Sequence, residues 1–264
     1  MTESKYTRQT VSTVKWWVPG KLFSLTTTRD PSFSFAAGQF ARLGLPANLA
    51  ADEEPSIWRA YSMVNAPSQD GLEFYSVVVP EGEFSPRLAS LGPGDSIYID
   101  KTAFGFLTLD RFADGGDLWL LCTGTGLSAY LSMLQDPSTW TKFDRIVLVH
   151  GVRTASELAY NDLLEAWSHD GLPGTPQEGS ARFTYIPVAT RQALPGRPQA
   201  RITTLIEEDG LAELAGFDLA PERGKVMLCG NPTMVTDARK LLTERGFAVG
   251  RRGNLGNLAV ENYW

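Results

Sequence analysis

Arg59-Ala60-Tyr61-Ser62 puts an arginine and a tyrosine two residues apart, so that in a strand both side chains leave on one face. Such a pair suits a ligand with an anionic part and a flat ring. The guanidinium gives fork-shaped, charge-assisted bonds to phosphate, the phenol a stacking surface, and the Ser62 hydroxyl a hydrogen bond to a ring nitrogen. Taken alone, the pattern fits equally an ordinary strand with an exposed arginine. A second motif, Gly82-Glu83-Phe84-Ser85-Pro86-Arg87-Leu88, runs a glycine turn into Ser85 and Pro86, good N-cap and first-turn residues of a short helix. The unpaired N–H groups of such a start can receive a pyrophosphate; without a ligand the segment is a capped connector.

A third motif, Leu118 to Ser128, is an apolar strand entering Thr123-Gly124-Thr125-Gly126 and then a helix. This arrangement lets a dinucleotide phosphate approach the backbone at the carboxyl end of a parallel sheet, although Ala129 stands where a full GxGxxG has its third glycine. Two further apolar runs end in His150-Gly151-Val152-Arg153 and Val188-Ala189-Thr190-Arg191, with Arg201 ten residues on. Arginines just beyond strand ends lie where ligands bind in such sheets, and several converging would grip the 2′-phosphate that separates NADP from NAD. Singly, each suits a solvated surface. A buried run ending in Cys229-Gly230-Asn231-Pro232 leaves room for a flat ring beside the small Cys-Gly pair, with the proline opening a helix; a core cysteine reads the same way. Tyr263 and Trp264 are two aromatic rings most economically explained by docking against something flat.

The elements that must position these motifs fall into two halves. FSLTTTR (23–29), QFARLGL (39–45), LEFYSVVV (72–79) and SIYID (96–100) are short β-branched and aromatic runs separated by turn formers such as Pro93-Gly94-Asp95, which suggests a sandwich or barrel. Beyond the linker DRFADGG (110–116), the runs WLLC (119–122), RIVLVHG (145–151), FTYIPVA (183–189) and KVMLCG (225–230) alternate with helical stretches. Those stretches are Ser128–Leu134, Glu157–Trp167, Ile202–Glu208 and Thr233–Arg245. The alternation predicts a parallel sheet flanked by helices. Two domains follow, 1–109 and 117–264, with PANLAADEEPS (46–56) and HDGLPGTPQEGSA (169–181) as surface excursions.

Composition narrows the chemistry. The two cysteines, Cys122 and Cys229, cannot supply a four-cysteine iron-sulfur cluster, and His150 and His169 share no ligand spacing with them. No metal is expected, and redox chemistry would need a bound organic cofactor. A net charge of -6 argues against general nucleic-acid binding. No apolar run approaches the roughly 20 residues that cross a bilayer, and MTESKYTRQT has no apolar signal core. A soluble, cytoplasmic monomer is the expectation.

Taken in order, RxYS, GxxS, the TGTG turn, the strand-end arginines, CGNP and a terminal aromatic match one family over nearly the whole chain. The sequence resembles bacterial ferredoxin/flavodoxin-NADP reductases, in the subgroup ending in tryptophan. The resemblance implies an α+β two-domain fold, with an antiparallel six-stranded β-barrel for FAD followed by an α/β domain with a five-stranded parallel sheet for NADP. It implies that Arg59 holds the FAD pyrophosphate beside Ala60, that Tyr61 stacks on the isoalloxazine, and that Ser62 bonds its reactive nitrogen. Tyr75, Ser76, Val77 and Val78 would frame FAD by backbone contact, Glu83, Phe84 and Ser85 would line its phosphates, and Thr125 would lie at the mouth of the turn. On the nucleotide side, Val152 would lie beside Arg153, Arg191 and Arg201 on the 2′-phosphate, and Cys229, Gly230 and Asn231 would face the nicotinamide. Tyr263 would cover the other flavin face and Trp264 the adenine. Ser62, Cys229 and Glu261 are the implied catalytic residues, shaping the site and handling the flavin proton.

The implied activity is hydride exchange with NADP(H) and single-electron exchange with ferredoxin or flavodoxin, which the basic residues between Arg239-Lys240 and Arg251-Arg252 would dock. NADH-dependent reductases of the cytochrome b5 or oxygenase type share the fold but have little use for three strand-end arginines. A flavin-binding module without turnover is the other alternative. The chain departs from the family where GTGLSA replaces the frequent GTGxxP, and where 169–181 runs long.

Overall fold

The structure, a computed structural model, describes residues 4–49, 54–174, 180–250 and 255–262. Six antiparallel strands come first: β1 (Tyr6–Val18), β2 (Leu22–Thr27), β3 (Phe40–Leu45), β4 (Ile57–Ser62), β5 (Leu72–Val77) and β6 (Ser96–Asp100). They pair in the order β4-β3-β6-β1-β2-β5. Alternate residues turn inward, so Phe23, Leu25, Leu43, Phe74, Ile97 and Ile99 form one core inside the curled sheet. β1, which the sequence reading did not anticipate, is the spine. Its first residues pair with β6 and its later ones with β2, with a register shift between Val11 and Thr13 that turns the strand from one partner to the other. Its alternation is hidden because an inward position is polar: Gln9 is buried and exchanges hydrogen bonds with the Thr7 and Thr28 hydroxyls.

The two end strands of this sheet, β4 and β5, meet at a bridge between Met63 and Phe74, next to a bond from Val64 N–H to Glu73 O at 2.8 Å. Beyond that point the described residues show no ladder between them, and the barrel has an open seam. A short helix α1 (Ser85–Ala89) follows β5.

The second half is a parallel sheet ordered β11-β10-β7-β8-β9, built from β7 (Asp117–Thr123), β8 (Arg145–Val152), β9 (Arg182–Ala189), β10 (Gly224–Gly230) and β11 (Leu258–Asn262). Its strands are buried on both faces. Leu118, Leu120 and Cys122 enter one core, whereas Trp119 and Leu121 enter the other, which is why these runs read as continuously apolar. Helices α2 (Leu127–Leu134), α3 (Pro137–Lys142) and α4 (Asn161–Asp170) supply residues to the first core, and α5 (Ile202–Glu207), α6 (Gly210–Ala215) and α7 (Pro232–Glu244) to the second. The first core also takes Leu22, Val64 and Tyr75 from the barrel. Ser132 Oγ and Gln135 Nε2 of the second half donate to the Asn65 and Val64 carbonyls, at 2.8 and 2.7 Å.

Other elements differ from the sequence reading as well. Glu157 ends a 3-10 turn rather than starting a helix; α4 begins at Asn161, after Tyr160 adopts a left-handed φ of 60°. β11 is an additional strand in parallel register with β10, Cys229 opposite Glu261. Among the described residues no helix is long and apolar enough to cross a membrane, and no cluster of three His, Cys, Asp or Glu could hold a metal ion.

Candidate functional site

The open seam becomes a cavity of about 500 Å³ lined by Arg59–Ser62 of β4, Tyr75–Val77 of β5, Gly82–Ser85, and Thr125 and Ser128 of the second half. Among the described residues no ladder joins the two strand edges that face it. Tyr61 crosses the gap, its hydroxyl 3.2 Å from Ser76 Oγ and its ring 5.8 Å from that of Phe84. Burial raises the Tyr61 phenol above its ordinary value, against the Ser76 bond and the Arg59 charge. The neighbouring Tyr75 hydroxyl is buried with no partner among the described residues. Arg59 is exposed, donates to the Trp58 carbonyl at 2.7 Å and pairs with no described carboxylate, leaving its charge for an anion. Ser85 is the first residue of α1 rather than its cap; its hydroxyl accepts from Val79 N–H at 2.9 Å and closes the turn that opens at Gly82.

A second cavity, about 580 Å³, opens at the carboxyl ends of β7, β8 and β10. Two glycine motifs clasp each other there. A Cβ on Gly126 would stand 2.7 Å from the Cys229 carbonyl oxygen, and one on Gly230, whose φ is +126°, would stand 2.6 Å from that of Thr123. Thr123 Oγ1 also accepts from Asn231 N–H at 2.8 Å. Beneath the turn, His150 is fully buried; a carbonyl only accepts, so its Nε2 carries the proton donated to Gly124 O at 3.2 Å. Burial pushes the His150 pKa down to about 4, so the ring is a neutral strut. Arg153 and Arg201 line the cavity. Arg201 pairs with no described carboxylate, whereas Arg153 is held by Glu157 at 3.0 Å.

The residues expected from sequence divide accordingly. Arg59, Ala60, Tyr61, Ser62, Tyr75, Ser76, Val77, Glu83, Phe84, Ser85 and Thr125 come together at the first cavity, and Val152, Arg153, Arg201, Gly230 and Asn231 at the second. Val78 does not line the seam; it packs against the barrel core, and Val79 takes the lining position. Arg191 is exposed and lines neither cavity, although its N–H donates to the Arg153 carbonyl at 2.9 Å. Cys229 is buried behind Gly126 rather than in a cavity wall. Glu261 is in neither wall; it lies against Gly105 and Phe106, one carboxyl oxygen buried with no partner among the described residues, and burial raises its pKa to about 7. Tyr263, Trp264, Arg251 and Arg252 lie outside the described residues. Sequence reasoning missed Glu157, Thr203 and Asp237 in the second wall; only Glu157 left a signal, an acid four residues after a strand-end arginine.

Residues 120–240 match the family of oxidoreductase NAD-binding domains. The chain is 41% identical over 258 residues to ferredoxin–NADP reductase A of Sorangium cellulosum, covering 97% of this chain and 89% of that one. It is 39% identical over 259 residues to the flavodoxin/ferredoxin–NADP reductase of Escherichia coli, covering 94% and 99%. The chain belongs to the ferredoxin/flavodoxin–NADP reductase family. A crystal structure of the ferredoxin–NADP⁺ reductase from Neisseria gonorrhoeae, with bound FAD and NADP, superposes with a TM-score of 0.89 at 37% identity, over 99% of this chain and 100% of that one. The six-stranded barrel followed by a five-stranded parallel sheet is thus the fold of this reductase family, as the order of motifs implied.

Proposed function

We propose that the chain exchanges hydride with NADP(H) and single electrons with ferredoxin or flavodoxin, with FAD in the seam cavity and NADP(H) at the sheet end. The observation that carries this reading is that the two cavities share Tyr75, Val77 and Thr125. Ligands in the two spaces therefore meet at one wall. FAD held in the seam cavity would supply the redox chemistry, a two-electron hydride exchange coupled to single-electron release.

The chain's own residues bind and orient. Arg59 offers its charge to the pyrophosphate, Tyr61 a ring face, the edges of β4 and β5 hydrogen-bonding groups, and Arg153 with Arg201 a cationic grip for the 2′-phosphate. The glycine clasp brings both motifs to the second cavity without side chains in the way. Burial raises the Glu261 carboxyl pKa to about 7, so this group exchanges its proton near neutral pH. The carrier docks beside Arg239 and Lys240, both exposed, since at physiological salt the net charge of -6 is screened over roughly 8 Å and charges close to the docking face count most. Arg245 contributes less because Asp209 neutralises it.

Anaerobic addition of NADPH, then NADH, to the purified FAD-loaded protein tests the reading. NADPH should bleach the flavin band at much lower concentration than NADH, and Arg201→Ala should raise the NADPH requirement by roughly ten- to a hundredfold, the worth of a charge-assisted bond, with NADH unchanged. Preference for NADH would favour the cytochrome b5 type of reductase. Bleaching by neither would leave a flavin-binding module.

A further inference from the structure

Glu157 is buried, yet three donors converge on its carboxylate. Arg153 Nε donates to Oε1 at 3.0 Å and to Oε2 at 3.3 Å, and the Arg153 backbone N–H donates to Oε2 at 3.0 Å. Lys21, from the turn between β1 and β2, forms an ion pair with Oε1 from the other half of the molecule. Burial alone would raise this carboxyl; Lys21, the Arg153 N–H and the guanidinium outweigh it and hold the pKa below the usual value. The acid is therefore ionised at neutral pH.

The geometry of the grip is specific. A guanidinium carries five donors in one plane. With Nε occupied by Glu157, both Nη atoms are uncommitted, no described acceptor takes them, and the Arg153 side chain remains 49% exposed in the wall of the second cavity.

We propose that Glu157 is a positioning residue for 2′-phosphate recognition: it holds Arg153 by Nε and by the backbone N–H, aims both Nη atoms into the nucleotide cavity, and through Lys21 ties that aim to the barrel. The inference rests on reading the second cavity as the NADP(H) site. A carboxylate near a phosphate would by itself repel it, but Lys21 and Arg153 against Glu157 leave two cations to one anion, a net +1. Without Glu157, Arg153 would have to be ordered by the ligand at the expense of binding.

Calorimetric titration of the full-length protein with adenosine 2′-monophosphate and adenosine 5′-monophosphate tests this directly, since only the first carries the discriminating phosphate. Glu157→Gln should weaken the 2′-nucleotide about tenfold and leave the 5′-nucleotide within about twofold, because the glutamine amide meets donors with a donor. Arg153→Ala should weaken the 2′-nucleotide at least as much, and the double variant should be no weaker than Arg153→Ala alone. Unchanged or tighter 2′-nucleotide binding in Glu157→Gln, or additive losses in the double variant, overturns the positioning role. If Arg153→Ala itself leaves the 2′-nucleotide unaffected, the assignment of the cavity has failed instead. Should Glu157→Gln not fold, Lys21→Met carries the test: a two- to threefold loss for the 2′-nucleotide alone supports the tie to the barrel, and no loss overturns it.

Discussion

Glu261 shows how one residue's environment sets its chemistry. It lies opposite Cys229 in the sheet, and burial lifts its pKa from 4.5 to about 7 while the Phe106 backbone pulls weakly the other way. The unfolded chain loses this proton near pH 4.5 and the folded protein near 7, so the folded state binds more protons in that window. Stability from this group is complete below about pH 4.5 and declines as pH rises to 7; a shift of this size corresponds to about 3 kcal/mol. Glu261→Gln, neutral throughout, should unfold like the parent at pH 4 and below and be more stable by up to about 3 kcal/mol at pH 8, measured by urea titration at both. Parallel stability curves for the two proteins across that range would mean that Glu261 is not held protonated. The same raised pKa makes this carboxyl suited to hold a proton at working pH, a property that residue type alone did not reveal.

Between elements, the clasp of the turn after β7 with the end of β10 fixes where the two cavities meet. Gly230→Ala would force an L side chain into a left-handed backbone and against the Thr123 carbonyl, at a cost of roughly 1 to 3 kcal/mol. A lowered melting temperature together with weaker NADP⁺ binding is the expected result; normal binding and melting would show that the strand ends need not touch. Much of this was legible because the glycines, the flanking apolar strands and the arginines obey local rules. TGTG and CGNP were each readable as strand ends, but their contact depends on β10 pairing beside β7, which no local pattern encodes. β1 escaped notice because its inward Gln9 breaks the apolar alternation, and β11 because an edge strand of five residues, with Leu258 and Ala259 buried but Val260 and Glu261 only half-buried, carries too few apolar positions to register. A strand-end position specifies height above the sheet but not the direction in which a long side chain leaves, so the sequence alone does not say which cavity Arg191 serves.

For the molecule as a whole, the division into residues 1–109 and 117–264 is a proposal about chain segments, and the packing argues against two independent folding units. One core takes Leu22, Val64 and Tyr75 from the barrel together with Leu120, Tyr130 and Met133 from the sheet side, most of them fully excluded from solvent. Phe112, inside the linker, is buried in the same core. Polar ties cross the boundary as well: Tyr160 donates to Glu73 Oε1 at 2.6 Å, alongside the bonds from Ser132 and Gln135. Domains joined by a small polar interface unfold separately, whereas a shared apolar core makes the opening of either half expose the other. The protein freed of FAD should therefore give one calorimetric transition, with van't Hoff and calorimetric enthalpies agreeing. Residues 117–264 produced alone should bind a hydrophobic dye through the uncovered Leu120 face and melt at lower temperature than the full chain. Two resolved transitions in the full chain, or a 117–264 fragment as stable as the whole, would show that the halves are joined only by their ligands.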